Sequence, residues 1–206
     1  MAEQSRAYLA GPDVFLPNPL EMALNKKSLC TEFGIEGVFP LDAALNLSEL
    51  SKMEQGYLIS KENEKLIRTC QLVIANLTPF RGPSADVGTV YEVGFARALG
   101  LPIFGYTNIS TPYNDRAIEF LGQNIIKTRN MITDAMNMHI ESFDLRDNLM
   151  IDGGIRHSGG KFCATDSPPE NLFTDLSAFK ECLFAASEYF AREKGWDRST
   201  EMDVSA

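Results

Sequence analysis

The sequence predicts an α/β protein: an open parallel sheet with helices on both faces. Two short apolar runs, AYLA at 7–10 and LVIA at 72–75, read as strands, the second covered on both sides. Longer stretches with helical spacing alternate with the strand candidates, and Gly and Pro mark the joins. A chain of 206 residues, 44% of them hydrophobic, can close one packed core, so a single domain over residues 1–195 is expected.

The elements follow in order. The first strand, 7–10, stops at Gly11-Pro12. Asn18 is placed to cap a helix over 20–33, whose apolar positions include Leu20, Met22, Ala23 and Leu24. GVFPL at 37–41 reads as a second strand ending before Asp42, and a helical pattern follows over 47–69. The third strand, 72–75, leads into a loop at 76–85 and then a helix over 87–99, which Gly100 stops. PIFGY at 102–106 is a fourth strand. Region 108–138 holds a helix near 116–121, and residues 156–170, rich in Gly, Ser and Pro, read as a surface loop. A closing helix is expected over 176–193, then a polar tail at 196–206. This alternation is that of a flavodoxin- or Rossmann-like sheet. Ligands of such sheets sit at the carboxyl ends of the strands. Three segments fall there: GPDVF after the first strand, Asp42 after the second, and NLTPFRGPSAD after the third.

Composition narrows the partners. A net charge of −9 argues against a surface built for nucleic-acid backbones. No apolar run reaches the roughly 18 residues that cross a bilayer, and the N-terminus does not read as a signal peptide. The expectation is a cytoplasmic protein without a membrane partner. The four cysteines, at 30, 70, 163 and 182, form no CxxC pair and have no histidine cluster beside them, so no metal site is expected. Cys70 and Cys182 read as small core hydrophobes. His139 and His157 read as solvated or hydrogen-bonded loop residues, and the run MITDAMNM at 131–138 as a lid, a packing segment or a subunit contact.

The stretch SADVGTVYEVGFARAL at 84–99 carries the chemistry. On a helix, Glu92 shares a face with Gly88, Phe95, Ala96 and Leu99. A carboxylate among apolar neighbours is costly unless paired or protonated, and such groups cluster at functional sites; the alternative is a glutamate at the helix edge reaching water. Asp86 is placed to cap the helix, whose start can accept hydroxyls or anions. Two carboxylates so spaced can bracket a sugar.

These residues carry a resemblance. AGPDVF at 10–15, VIANLTPFRGPSADVGTVYEVGFARALG at 73–100 and DNLM at 147–150 make the chain resemble a nucleoside 2-deoxyribosyltransferase, close to the branch of trypanosomatids and some bacteria. The resemblance implies that Glu92 is the nucleophile, that Asp86 binds the deoxyribose hydroxyls, and that Tyr8 orients Glu92. It implies that Phe15 walls the nucleobase, with Asn63 near the base. Asn148 and Met150 would reach into a neighbouring subunit's site, Asn148 towards the sugar 5′-hydroxyl. Gly11, Asp42, Gln71, Asn76 and Gly88 complete the expected substrate-binding set. Gln71 and Asn76 stand where relatives carry Asp, and an amide cannot donate a titrating proton. Relatives are usually shorter, so parts of 108–138 and 156–170 look like insertions.

The implied reaction breaks an N-glycosidic bond through an oxocarbenium-like state. A carboxylate under the anomeric carbon stabilises the charge and traps it as a glycosyl ester, which a second base attacks with net retention. No metal or organic cofactor is required. The implied partners are a 2′-deoxynucleoside, a free nucleobase, and at least one further copy of the chain. Two alternatives remain. Water in place of the second base gives a hydrolase of deoxynucleosides or of their 5′-monophosphates, with Arg81, Ser84 and Thr89 for the phosphate; VGTVYE also resembles the GGxGTxxE motif of phosphoribohydrolases without its leading glycines. The other alternative is a non-catalytic nucleotide-binding module.

Overall fold

The strands point alternate side chains to two different cores, and this sorts the molecule into three layers. In the computed structural model, which describes residues 4–200 apart from 124, 129 and 130, the first strand β1 spans Ser5–Ala10. Ala7 and Leu9 face one core, Tyr8 and Ala10 the other. The third strand, β3 (Leu72–Asn76), repeats the alternation, with Leu72 and Ile74 on one side and Val73 and Ala75 on the other. Being buried on both faces, these strands read as unbroken apolar runs.

The remaining elements are α1 (Pro19–Glu32), β2 (Ile35–Val38), α2 (Lys52–Arg68), α3 (Val87–Ala98), β4 (Ile103–Thr107), α4 (Tyr113–Leu121), β5 (Ile126–Lys127), β6 (Ile132–Thr133), α5 (Leu149–His157), β7 (Phe162–Ala164) and α6 (Ser177–Thr200). Among the described residues the main sheet has five strands in the order β2-β1-β3-β4-β7, every neighbouring pair parallel. Residues of α1 and α6 pack on one face, and those of α2, α3 and α5 on the other. Strand order reverses between β1 and β3, the place where such sheets open a crevice at their carboxyl ends.

Several boundaries differ from the sequence expectation for physical reasons. The helix expected from 47 begins at Lys52, because Ser51 and Glu54 form a reciprocal capping box there. The second strand lies earlier, at Ile35–Val38, and Pro40–Asp42 forms a 3-10 turn instead of extending it. Asn18 stands at the helix N-cap without a side-chain bond, and Pro19 occupies the first helical position. The expected surface loop at 156–170 is corrected: it holds the end of α5 and β7, the fifth strand of the sheet. The start of the expected polar tail, 196–200, continues α6, while 201–206 lie outside the described residues. Part of the expected insertion at 108–138 forms an antiparallel β5-β6 pair apart from the main sheet.

Gly105 on β4 allows α5 to close on the sheet: a Cβ there would stand 2.6 Å from Ile155 Cδ1 and 2.8 Å from Leu77 Cδ1. All four cysteines are buried free thiols. No helix among the described residues is long and apolar enough to cross a membrane.

Candidate active site

Glu92 lies on the face of α3 that meets β1 and α2. The hydroxyl of Tyr8, a fully buried residue of β1, donates a 2.6 Å hydrogen bond to Glu92 Oε1. Burial pushes the Glu92 carboxyl up to about 7; the Tyr8 hydrogen bond pulls the other way, and the charge of Asp86 adds to the rise. Burial, reinforced by the neighbouring Glu92, holds the Tyr8 phenol far above its ordinary value, so it remains a donor.

A cavity of about 350 Å³ opens beside Glu92, between α2 and α3. Glu92 and Gly88 line it from α3, and Ser60 and Asn63 from α2. Two residues not singled out from the sequence span it: the hydroxyl of Tyr91 donates to Glu64 Oε1 at 2.6 Å, joining α3 to α2. Ser60, Asn63 and Glu64, at i, i+3 and i+4, share one face of the helix, which was the available signal.

Asp86 is the N-cap of α3. Its Oδ2 accepts from the Thr89 backbone N–H at 2.9 Å and the Thr89 hydroxyl at 3.1 Å. No hydrogen bond within the described residues occupies Oδ1. Gly88 keeps this carboxylate uncrowded, since a Cβ there would stand 3.0 Å from Asp86 Oδ2.

A second group of expected residues gathers at the carboxyl ends of β1 and β3. After β1 the chain makes a 3-10 turn over Pro12–Phe15. Phe15 is 55% exposed and stacks on Phe80 with ring centroids 5.5 Å apart, and the Arg81 guanidinium lies over both rings. Beneath them Asp13 forms an ion pair with Lys26 at 2.8 Å, both side chains 1% exposed. The Asn76 amide is committed locally, donating to Asp13 at 3.4 Å and accepting from the Thr78 N–H at 3.1 Å. Gly11 is required for this fit, as a Cβ would stand 2.8 Å from Asn76 Cβ.

Other expected residues stand apart from the Glu92 cavity. Gln71 precedes β3, at the amino end of the sheet; it is exposed and its side-chain oxygen accepts from the Arg6 N–H at 2.9 Å. Asp42 accepts from the Phe39 N–H at 2.8 Å and pairs with Lys27 at 2.5 Å, fastening β2 to α1. Asn148 caps α5, accepting from the Met150 N–H at 3.0 Å and donating to Glu141 at 2.9 Å. Met150 is 73% exposed on an apolar groove of about 410 Å³ between α3 and α5, with Val90, Gly94 and Leu149. His157 lines that groove and His139 pairs with Thr133, so neither histidine reaches Glu92's cavity. Two of the three residues considered for phosphate are engaged elsewhere: Ser84 donates to Asp147, and Thr89, buried, to Asp86.

Comparison with known proteins adds to this geometry. The family model described as nucleoside 2-deoxyribosyltransferase matches residues 7–150. An uncharacterized Schizosaccharomyces pombe protein, C191.05c, is 32% identical over 177 residues, covering 81% of this chain and 83% of the yeast protein. A 2-desoxiribosyltransferase from Leishmania mexicana superposes with a TM-score of 0.55 at 26% identity, covering 84% of this chain and 96% of that one. A conserved protein from Enterococcus faecalis V583 shares the fold, with a TM-score of 0.50 at 22% identity over 88% of this chain and 98% of its own.

Proposed function

The chain belongs to the nucleoside 2-deoxyribosyltransferase family, and from that premise we propose that it transfers 2-deoxyribose between nucleobases through a covalent ester on Glu92. The observation that carries this reading is Glu92 itself: a carboxyl shielded from water, aimed by Tyr8, facing a cavity lined by Gly88 and Asn63. As the glycosidic bond of a 2′-deoxynucleoside breaks, positive charge builds on the anomeric carbon. An ionised Glu92 stabilises it in a site where few waters compete, then bonds to the carbon from the face opposite the departing base. A second base displaces Glu92 and restores the original configuration. Asp86, with Oδ1 free, binds the sugar hydroxyls. Phe15, exposed on its platform of Phe80, walls the base.

Asn148 and Met150 are assigned to the site of a second copy. Met150 and Leu149 stand exposed beside the apolar groove, which suits a homo-oligomer in which α5 of one subunit meets the neighbour. The 5′-monophosphate alternative is disfavoured by the engagement of Ser84 and Thr89.

The test incubates deoxyinosine or thymidine with and without free adenine or cytosine. Exchange that depends on the acceptor is expected. Base release at the same rate without acceptor would make the protein a hydrolase, and binding without either reaction would make it a sensor. Glu92→Ala is expected to fold and to lose exchange by about three orders of magnitude or more. Near-normal turnover in that variant would remove Glu92 from the role.

A further inference from the structure

Asp147 is fully buried, yet it lies one residue before Asn148 in a loop. Its carboxylate accepts from four donors. Oδ1 takes the Ser84 hydroxyl and the Asn148 N–H, the latter at 2.8 Å. Oδ2 takes the Ala85 N–H at 3.0 Å and Arg116 Nη2 at 3.5 Å. The Asp147 N–H donates to Asp152 on α5 at 2.9 Å. Arg116, from α4, also donates through Nε to the Pro83 carbonyl at 2.9 Å and through Nη1 to the Thr111 carbonyl at 2.6 Å.

Replacing a whole buried ion pair by apolar residues of similar volume is often neutral for stability, so the pair's contribution need not be energetic. What it adds is geometry. Ser84 and Ala85 immediately precede Asp86, and Asn148 opens α5. One carboxylate therefore ties the segment 84–85, 63 and 62 residues away in sequence, to the start of α5 beside it. The segment 83–85 sets where Asp86 leaves the loop and enters α3, and so where its free Oδ1 points. We propose that Asp147 is a positioning residue: it sets Asp86 for the sugar and ties that setting to Asn148 at the start of α5. The inference rests on the deoxyribosyl-transfer reading above. Under that reading, Asp86 and Asn148 serve two different active sites, so Asp147 joins the sites of neighbouring subunits through a single side chain.

The test is a double-mutant cycle in the full-length protein, with base exchange from deoxyinosine to adenine read as kcat and KM separately. Asp147→Asn keeps the shape and loses the charge and one acceptor oxygen. Asp86→Asn keeps an N-cap acceptor but weakens the sugar contact. Asp147→Asn is expected to lower kcat/KM by about tenfold or more in the wild-type background, and by less than about threefold in the Asp86→Asn background, because coupled residues are non-additive. An equal loss in both backgrounds would mean that Asp147 only supports the fold and would overturn the proposal. If Asp147→Asn does not unfold cooperatively, Ser84→Ala takes its place in the same cycle. It removes one of the four donors and leaves the carboxylate, and the same contrast between backgrounds is expected. Glu92→Ala is assayed alongside. Lost exchange there with an additive cycle removes the positioning role alone, whereas normal exchange there removes the transfer reading and this inference with it.

Discussion

At the scale of single residues, the proposed transfer requires an ionised Glu92, and burial pushes its carboxyl up to about 7. Turnover is therefore expected to climb with pH through about 7 and level off above it. The Tyr8 bond favours the ionised form. Tyr8→Phe removes it, so the acid limb of the pH–rate profile should move up by about one unit, with a lower plateau. A profile unchanged by Tyr8→Phe would detach Tyr8 from Glu92's chemistry. The same carboxyl affects stability. Its folded value lies above its unfolded one, so between about 4.5 and 7 the native state holds a proton that the unfolded chain has released, and stability falls as pH rises through that window. Glu92→Gln has no such dependence. Its Tm should exceed that of the wild type most above about pH 7, with the difference vanishing near pH 4. Thermal melts across pH check the sign.

At the scale of elements, the turn Pro12–Phe15 is held to α1 by Asp13 and Lys26, a pair sealed beneath the rings of Tyr106 and Phe179. Removing one charge strands the other, so Lys26→Met should cost about 3–5 kcal/mol in urea unfolding, while Asp13→Leu with Lys26→Met together should restore most of it. The sequence showed the segments near this turn better than others. LVIA and the helix after it were legible because their periodicity and capping residues are local. Tyr8, Glu92, Gly88 and Asn63 were expected at one site; Glu92, Gly88 and Asn63 line one cavity, and Tyr8 bonds to Glu92. The strand β7 was not legible. Its three residues, FCA, carry no period, and only pairing with Gly105–Thr107 makes them a strand. Asp42 and Gln71 were read from their places in the chain. The partners that engage them, Lys27 and Arg6, are set by tertiary contact.

At the scale of the whole molecule, the exposed edge formed by α3 and α5 is where a second copy would sit. Met150→Glu places a charge in the apolar groove. It is expected to give a monomer by light scattering and to lose exchange by about tenfold or more, with the fold intact by circular dichroism. A monomeric wild type with full activity would dismiss the shared site. The buried Asp147 belongs to this scale as well, since it joins the loop ahead of α3 to the start of α5.

Tyr8 sits on the second strand in spatial order, hydrogen-bonded on both sides and closed in by helices above and below. On the proposed transfer, the aiming of the nucleophile is thus anchored to a fully buried strand residue, whereas the surfaces assigned to the base lie on a helix and two loops at the periphery. Substitutions that retune which base is accepted can accumulate in that outer shell without disturbing bond cleavage, leaving selectivity free to diverge while the reaction stays constant.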